Sequence, residues 1–212
     1  MTDRRRIDPA APDPELLAEA ARRVVAGGVI VFPTRHLYGL GADALNPEAV
    51  GRVFALKGRS PAKALSVLVR DESMLTGLVR EVPAAARLLM ERFWPGRLTL
   101  VLAAAPGVPE ALSGGQGTIG VRLPGHPVSR GVMARLEVPL TATSANRAGE
   151  PGAHTVDAVS EAIRAGVDLI LDAGPLVPGA GSTVLDLTHG TARVLREGAV
   201  SAAAIRAVLE GD

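Results

Sequence analysis

The sequence predicts a single α/β domain built on a mixed β-sheet. Short apolar segments typical of buried strands alternate with segments that have helical periodicity, and the alternation follows no strict repeat. The chain has 212 residues, of which 47% are hydrophobic and 21% charged, as in ordinary globular domains. No interior linker divides it. We therefore expect one domain over residues 14–212, preceded by a flexible, polar and proline-rich arm over residues 1–13.

The first predicted elements are a helix and a buried strand. Apolar residues recur at three-to-four spacing over residues 14–25, which predicts a helix. The wholly apolar run at residues 29–32 is typical of a strand in a covered sheet, and the glycine-punctuated stretch at residues 38–44 predicts a loop. Asn46 begins a second helix, with proline at the first helical position, and this helix ends at Lys57.

The remaining elements follow from the same patterns. Further strands are predicted at residues 65–69, 97–104, 118–123, 139–143 and 167–171, with a late antiparallel pair at residues 183–187 and 193–195. Further helices are predicted at residues 84–94, 128–136, 155–165 and 201–209, with a short one after Asp71.

The composition excludes several classes of chemistry. The chain has no cysteine, which excludes disulfides, thiolate metal sites and cysteine nucleophiles, and its four histidines are too far apart for a metal motif. Aromatic residues make up 2% of the chain, too few for an RNA-binding platform of stacked rings, and the net charge of +1 predicts no overall field for nucleic acid. Without a membrane-spanning run or signal peptide, we expect a cytoplasmic protein.

Cationic, hydroxyl and amide side chains collect at the ends of predicted strands and helices. Lys57, Arg59 and Lys63 place three cations within seven residues, with no acid between them. Ser144 and Asn146 follow an apolar strand. These side chains indicate a site for a phosphate or a carboxylate, without a side-chain nucleophile. A solvated charge run and a simple turn are the alternatives, and the residues alone leave them open.

Arg122 is a second candidate for anion binding. It alternates with apolar neighbours in a predicted strand, where a buried guanidinium needs a partner. An amino-acid carboxylate fits the guanidinium fork, and the Ser182 hydroxyl, which precedes another strand, can add a contact to the same ligand. Alternatively, an internal acid such as Asp186 pairs with Arg122.

The same positions carry a family resemblance. The chain resembles the YrdC/TsaC family, the threonylcarbamoyl-AMP synthases, in six segments that occur in order: GVIVFPT at residues 28–34, YGLGA at 38–42, KGR at 57–59, VRLP at 121–124, TSAN at 143–146 and GSTVLD at 181–186. The resemblance covers about residues 14–210. It implies a single YrdC-like domain, in which helices flank a twisted mixed sheet around a positively charged cavity.

The resemblance also implies a reaction. L-Threonine, bicarbonate or CO2, and ATP with its Mg²⁺ would give L-threonylcarbamoyladenylate and pyrophosphate. A separate transferase complex would move the threonylcarbamoyl group to adenosine in tRNA, so hand-off to that complex and weak or transient tRNA contact are expected. No resident metal is implied.

Site residues are carried over position by position. ATP contacts are expected at Lys57, Arg59, Lys63, Thr118, Ser144, Asn146 and Arg196, of which Lys57 and Arg59 are the expected catalytic cations. Threonine contacts are expected at Thr34, His36, Arg122 and Ser182.

The chain departs from the family beside the expected threonine pocket. Members commonly have Glu-Thr where this sequence has Arg35 and His36. Two alternatives to the synthase follow: a YciO-like paralogue that acts on a different amine, and an RNA-binding or regulatory module on the same fold. The intact set of Lys57, Arg59, Ser144 and Asn146 favours the enzyme.

Overall fold

Ten strands form one mixed sheet in the computed structural model, which describes residues 2–211. The strands are β1 (Asp3–Arg6), β2 (Ile30–Pro33), β3 (Tyr38–Gly41), β4 (Ser66–Leu68), β5 (Leu98–Ala103), β6 (Thr118–Arg122), β7 (Leu140–Ser144), β8 (Leu169–Asp172), β9 (Thr183–Asp186) and β10 (Arg193–Arg196). Their order across the sheet is β1-β8-β2-β3-β7-β4-β6-β5-β9-β10. The predicted mixed α/β domain is confirmed.

Helices cover both faces of this sheet. They are α1 (Pro14–Val25), α2 (Pro47–Lys57), α3 (Ala84–Phe93), α4 (Glu110–Ser113), α5 (Pro127–Met133), α6 (Glu161–Gly166) and α7 (Ala202–Glu210), with 3₁₀ turns at Glu72–Gly77 and Val156–Ala158. The cap of α2 is the predicted one, since Asn46 Oδ1 accepts from the amides of Glu48 and Ala49. Helix α2 ends because Gly58 adopts a left-handed conformation with φ of 57°.

The expected flexible arm differs from the structure at Asp3–Arg6. This segment is strand β1, which pairs in parallel with β8 at the edge of the sheet. The Arg4 guanidinium donates to the carboxylate of Asp172 at 2.7 Å, and Asp172 is 4% exposed. An edge strand with exposed polar side chains lacks an apolar alternation, so the sequence pattern did not indicate it.

Two further expectations are corrected by the structure. The predicted loop at residues 38–44 contains strand β3, whose glycines allow close packing: a Cβ at Gly41 would lie 2.7 Å from the Phe32 ring. The predicted helix at residues 155–165 is interrupted before Glu161, giving a 3₁₀ turn followed by α6.

The two faces of the sheet are built differently. One face carries large aliphatic side chains, such as Leu100 and Val121, that pack with residues of α2, α3, α6 and α7. On the opposite face, Ile30, Leu68 and Leu140 pack under α1 and α5. Farther along that second face many side chains are small and the helices within residues 2–211 leave them uncovered, which gives a cavity.

Candidate active site

A cavity of about 300 Å³ opens on the second face of the sheet. Residues from five strands form its floor, and most are small: Gly39, Ser66, Thr99, Ala142, Ser144 and Val184. The strand register places small residues side by side on this face, because Ser66 pairs with both Ala142 and Gly120. Space for a ligand therefore arises from side-chain size along the strands.

Four arginines line this cavity: Arg35, Arg59, Arg122 and Arg196. Among the described residues that line it, none is an aspartate or a glutamate. Elsewhere, arginines such as Arg4 and Arg52 have carboxylate partners within 3 Å. The arrangement is therefore suited to bringing anions into the cavity.

Arg122 is partly buried at the end of β6, and its guanidinium has no hydrogen bond or ion pair with any residue that the structure describes. Burial, together with the positive charge of Arg196, lowers the pKa of Arg122 to about 10. The guanidinium stays protonated at neutral pH, so an uncompensated cation faces the cavity. Asp186 does not pair with it, because that carboxylate accepts from the amide and hydroxyl of Thr188 and lies near Arg193.

Arg59 and Arg196 are tied to the cavity wall through backbone carbonyls. Arg59 donates to the Ala64 carbonyl at 2.7 Å, while its Nε is buried without a partner in the described part of the chain. Burial lowers the pKa of Arg59. Arg196 donates to the Ser182 carbonyl at 2.8 Å. Each guanidinium keeps donors that a ligand can use.

Lys57 is placed differently from Arg59, Arg122 and Arg196. It is the last residue of α2, it is 3% exposed, and it is not among the residues that line the cavity. Its ammonium donates to the carbonyls of Ser144 at 2.5 Å and Asn146 at 2.7 Å. Burial, and secondarily the charge of Arg59, lowers the pKa of Lys57 to about 8. The ammonium thus holds the turn after β7.

That turn carries two of the predicted contacts. Ser144 lines the cavity at the end of β7. The Asn146 amide nitrogen donates to the carbonyls of Arg147 at 3.0 Å and Glu150 at 2.6 Å, whereas its Oδ1 is buried without a partner among the described residues. The side-chain nitrogen of Asn146 therefore stabilises the turn, whereas its Oδ1 atom remains available to accept a hydrogen bond.

Thr34 and His36 lie on the opposite wall, in the turn between β2 and β3. The Thr34 hydroxyl donates to the Leu37 carbonyl at 2.6 Å. His36 Nδ1 lies 2.8 Å from the Val177 carbonyl, and because a carbonyl only accepts, Nδ1 carries the hydrogen. The segment over residues 173–182 is thereby held to this turn, with Gly179 so close that a Cβ there would lie 2.4 Å from the imidazole.

Ser182 is partnered by Thr99, a residue that the sequence analysis did not single out. Their hydroxyl oxygens are 2.8 Å apart, and the two residues are 8% and 2% exposed. Threonine is common in strands, so its position within β5 carried no indication of a site.

The structure brings most of the predicted site residues together. Those that line the cavity are Thr34, His36, Arg59, Arg122, Ser144, Ser182 and Arg196. Those that do not are Lys57, Lys63, Thr118 and Asn146. Lys63 is exposed, and Thr118 begins the strand that Arg122 ends.

Residues 2–211 contain no group of three or more histidine, aspartate or glutamate side chains placed to hold a metal ion. Over the same residues, no helix is long and apolar enough to span a membrane.

Comparison with known proteins identifies the family. The Sua5/YciO/YrdC model, which carries the description telomere recombination, matches residues 23–198. The chain belongs to this family. It is 39% identical to the putative threonylcarbamoyl-AMP synthase of Mycobacterium leprae, over 95% of this chain and 92% of that protein. It is 37% identical to the threonylcarbamoyl-AMP synthase of Pyrococcus abyssi over 90% of its own length, but spans only 56% of that longer relative.

Solved structures give the same relationship. The fold matches P. abyssi Sua5 complexed with L-threonine with a TM-score of 0.91 and 34% identity, over 99% of this chain and 61% of that one. It matches Escherichia coli YciO with a TM-score of 0.84 and 30% identity, over 95% and 98% of the two chains. The similarity to both confirms the predicted family and fold.

Proposed function

We propose that this protein makes L-threonylcarbamoyladenylate and pyrophosphate from L-threonine, bicarbonate or CO2, and ATP. The observation that carries the proposal is the unpaired guanidinium of Arg122, in a cavity that also holds Arg59 and Arg196 and whose described lining has no carboxylate. Such a cavity suits two anionic substrates, an amino acid and a nucleotide. Further support comes from the relatives named as synthases and from the threonine complex of P. abyssi Sua5.

The proposed chemistry needs no side-chain nucleophile. Where bicarbonate is the source, it loses hydroxide to give CO2. The threonine amine adds to the carbon of CO2 and releases a proton, which combines with the hydroxide to form water, and a carbamate results. A carbamate oxygen then attacks the α-phosphorus of ATP, the bond from this phosphorus to its bridging oxygen breaks, and pyrophosphate leaves. Negative charge builds up on phosphate oxygens, where fixed guanidinium groups stabilise it together with the Mg²⁺ that ATP carries.

The proposed roles follow the two sides of the cavity. Arg122 and Ser182 bind the amino-acid carboxylate, with Thr34 and His36 beside its side chain. The proposed nucleotide contacts are Arg59, Ser144 and Arg196 in the cavity lining, and Lys63, Thr118 and Asn146 outside it. Lys57, whose ammonium bonds to the carbonyls of Ser144 and Asn146, acts by holding their turn rather than by contacting a phosphate.

The product is a mixed anhydride, which is reactive toward water and amines. We therefore propose hand-off to the separate complex that transfers the threonylcarbamoyl group to tRNA adenosine, with at most transient tRNA contact by this protein.

Pyrophosphate release tests the proposal. Purified protein is incubated with ATP, Mg²⁺, bicarbonate and L-threonine, and each component is omitted in turn. We expect release only from the complete mixture, with a threonylcarbamoyl-adenylate mass in the products. Release that does not depend on threonine or on bicarbonate would contradict the proposed reaction.

A second candidate is a YciO-like activity on a different amine. The match to E. coli YciO and the presence of Arg35 and His36 in the cavity lining favour it. A panel of amino acids in the same assay separates the two: a higher kcat/KM for another amine than for L-threonine would support this candidate.

A further inference from the structure

We propose that Thr99 is a positioning residue for the amino-acid substrate, acting through the hydroxyl of Ser182. This inference rests on the proposed function, since it assumes that an amino acid binds at Arg122. Thr99 lies on β5, Ser182 immediately precedes β9, and both line the cavity.

The register places Thr99 between the two groups predicted to bind the carboxylate. Leu100 pairs with Val121 across the antiparallel β5–β6 pair, so Thr99 and Arg122 are the next residues along each strand. On its other side, Thr99 pairs with Val184, two residues beyond Ser182. Thr99 is thus a cross-strand neighbour of Arg122 and a hydrogen-bond partner of Ser182.

The two branches of the Thr99 side chain have different neighbours. Its methyl group lies 3.5 Å from the position that a Cβ would take at Gly120, over the adjacent strand β6. Its hydroxyl lies 2.8 Å from the Ser182 hydroxyl, toward β9. Because a β-branched side chain has few allowed rotamers, these contacts fix the direction of the Thr99 hydroxyl.

Counting hydrogens shows what this pair offers to a ligand. Two hydroxyls carry two hydrogens, and the bond between them uses one. Neither hydroxyl has another hydrogen-bond partner among the described residues. One hydrogen therefore remains free at a cavity wall beside the Arg122 guanidinium, where an amino-acid carboxylate oxygen can accept it.

The backbone of Ser182 is held independently of Thr99. Its carbonyl accepts from Arg196, and the next amide, of Thr183, donates to the Arg97 carbonyl at 3.1 Å. Loss of the Thr99 hydroxyl should therefore release the Ser182 rotamer without moving the segment that carries it.

The test compares steady-state kinetics of Thr99→Val, Thr99→Ser, Ser182→Ala and the Thr99→Val/Ser182→Ala double variant. For Thr99→Val we expect the KM for L-threonine to rise about 3- to 10-fold, as for loss of one hydrogen bond, with the KM for ATP nearly unchanged. Thr99→Ser keeps the hydroxyl and should restore threonine binding. The double variant should be no worse than Ser182→Ala alone, because both substitutions remove one coupled contact.

Thr141→Val is a matched control. Thr141 is a fully buried strand threonine that is not among the residues lining the cavity, and its hydroxyl accepts from the Ala42 amide. This variant should lose thermal stability while its KM for threonine stays unchanged. Should Thr99→Val fail to fold, Thr99→Ala takes its place in the cycle.

Two results would overturn the inference: an unchanged KM for threonine in Thr99→Val, or additive effects of the Thr99 and Ser182 substitutions. Failure of the proposed function looks different, because the wild type itself would then release no pyrophosphate with threonine. Direct titration of L-threonine into ATP-loaded wild type and Thr99→Val reports binding in the same cycle.

Discussion

One face of the sheet contains two regions of opposite construction. Strand β4 crosses both: Leu68 packs under α1 and α5, whereas Ser66, two residues earlier on the same face, lies on the cavity floor. Strand β7 repeats the change, from Leu140 in the covered region to Ser144 in the open one. Backbone pairing continues through both regions. Side-chain size along a strand therefore decides where the core ends and the cavity begins.

The two regions also differ in whether a charged side chain has a partner of opposite charge. The Asp172 carboxylate, at the end of the covered strand β8, is matched by Arg4 and Arg6. In the open region Arg122 has no acidic partner in the described chain. An uncompensated buried charge costs stability, so its presence indicates binding rather than folding.

The largest expected effect comes from exchanging the character of the two regions. Leu68→Ala should lower the free energy of unfolding by about 2–5 kcal/mol, because it leaves a void under α1 and α5. Ala142→Leu should change that free energy less, since Ala142 lines the open cavity between Leu140 and Ser144 on β7, but it should abolish pyrophosphate release by filling the floor. Urea unfolding and the release assay measure both. Equal losses of unfolding free energy in the two variants would contradict the division of this face into a covered and an open region.

Removing the charge of the open region should stabilise the protein. The pKa of Arg122 is lowered to about 10, so protonation is less favourable in the folded state than in the unfolded one, and this cost persists at all pH values below about 10. Arg122→Met should therefore raise the free energy of unfolding by about 1–3 kcal/mol at neutral pH while eliminating threonine binding. Thermal melts with and without L-threonine report both effects.

Arg122→Lys is the control for this comparison. It keeps the charge but loses the bidentate fork, so threonine affinity should fall without the stabilisation. A loss of stability in Arg122→Met would instead mean that an internal partner satisfies Arg122.

Lys57 supplies a pH test at the border between helix α2 and the open region. Its pKa is lowered to about 8, so between this value and the unfolded value of 10.5 the unfolded state binds more protons, and stability rises with pH. Relative to Lys57→Met, the wild type should gain about 2 kcal/mol between about pH 7.5 and 9.5. Parallel pH profiles of the two proteins would show that the pKa of Lys57 is not lowered in the folded state.

Local patterns predicted much of the fold, and cross-strand geometry accounts for what they missed. The cap at Asn46 was predictable because the side chain and the amides that it caps lie within a few residues, and strand β6 because apolar residues alternate along it. Strand β3 was not, since its glycines serve contacts with Phe32 and Leu140 from neighbouring strands. Strand β1 was missed because its polar side chains find their partner, Asp172, far away in the sequence, 168 residues after Arg4.

The site divides in the same way. Arg122 was predictable as a cation inside an apolar strand, and in the structure it lines the cavity. The position of Lys57 was not, because two cations at one helix end look alike in sequence, and only the fold turns one toward the carbonyls of the Ser144–Asn146 turn. Thr99 became a candidate only once β9 was placed beside β5.

The smallest expected effect concerns Asn146, at the rim of the open region. Its buried Oδ1 is a pure acceptor, and phosphate oxygens also only accept, so its partner on ATP must be a donor: a ribose hydroxyl or the adenine amino group. Asn146→Ala should weaken ATP affinity by about 0.5–1.5 kcal/mol, and it should lower thermal stability slightly because the Nδ2 bonds to Arg147 and Glu150 are also lost. Calorimetry with ATP, 2′-deoxy-ATP and inosine triphosphate tests which group is the donor. For the nucleotide that lacks the donor group, the wild type and Asn146→Ala should have the same affinity. If Asn146→Ala melts at a lower temperature and binds all three nucleotides like the wild type, Asn146 only shapes the turn, and the nucleotide region ends at Ser144.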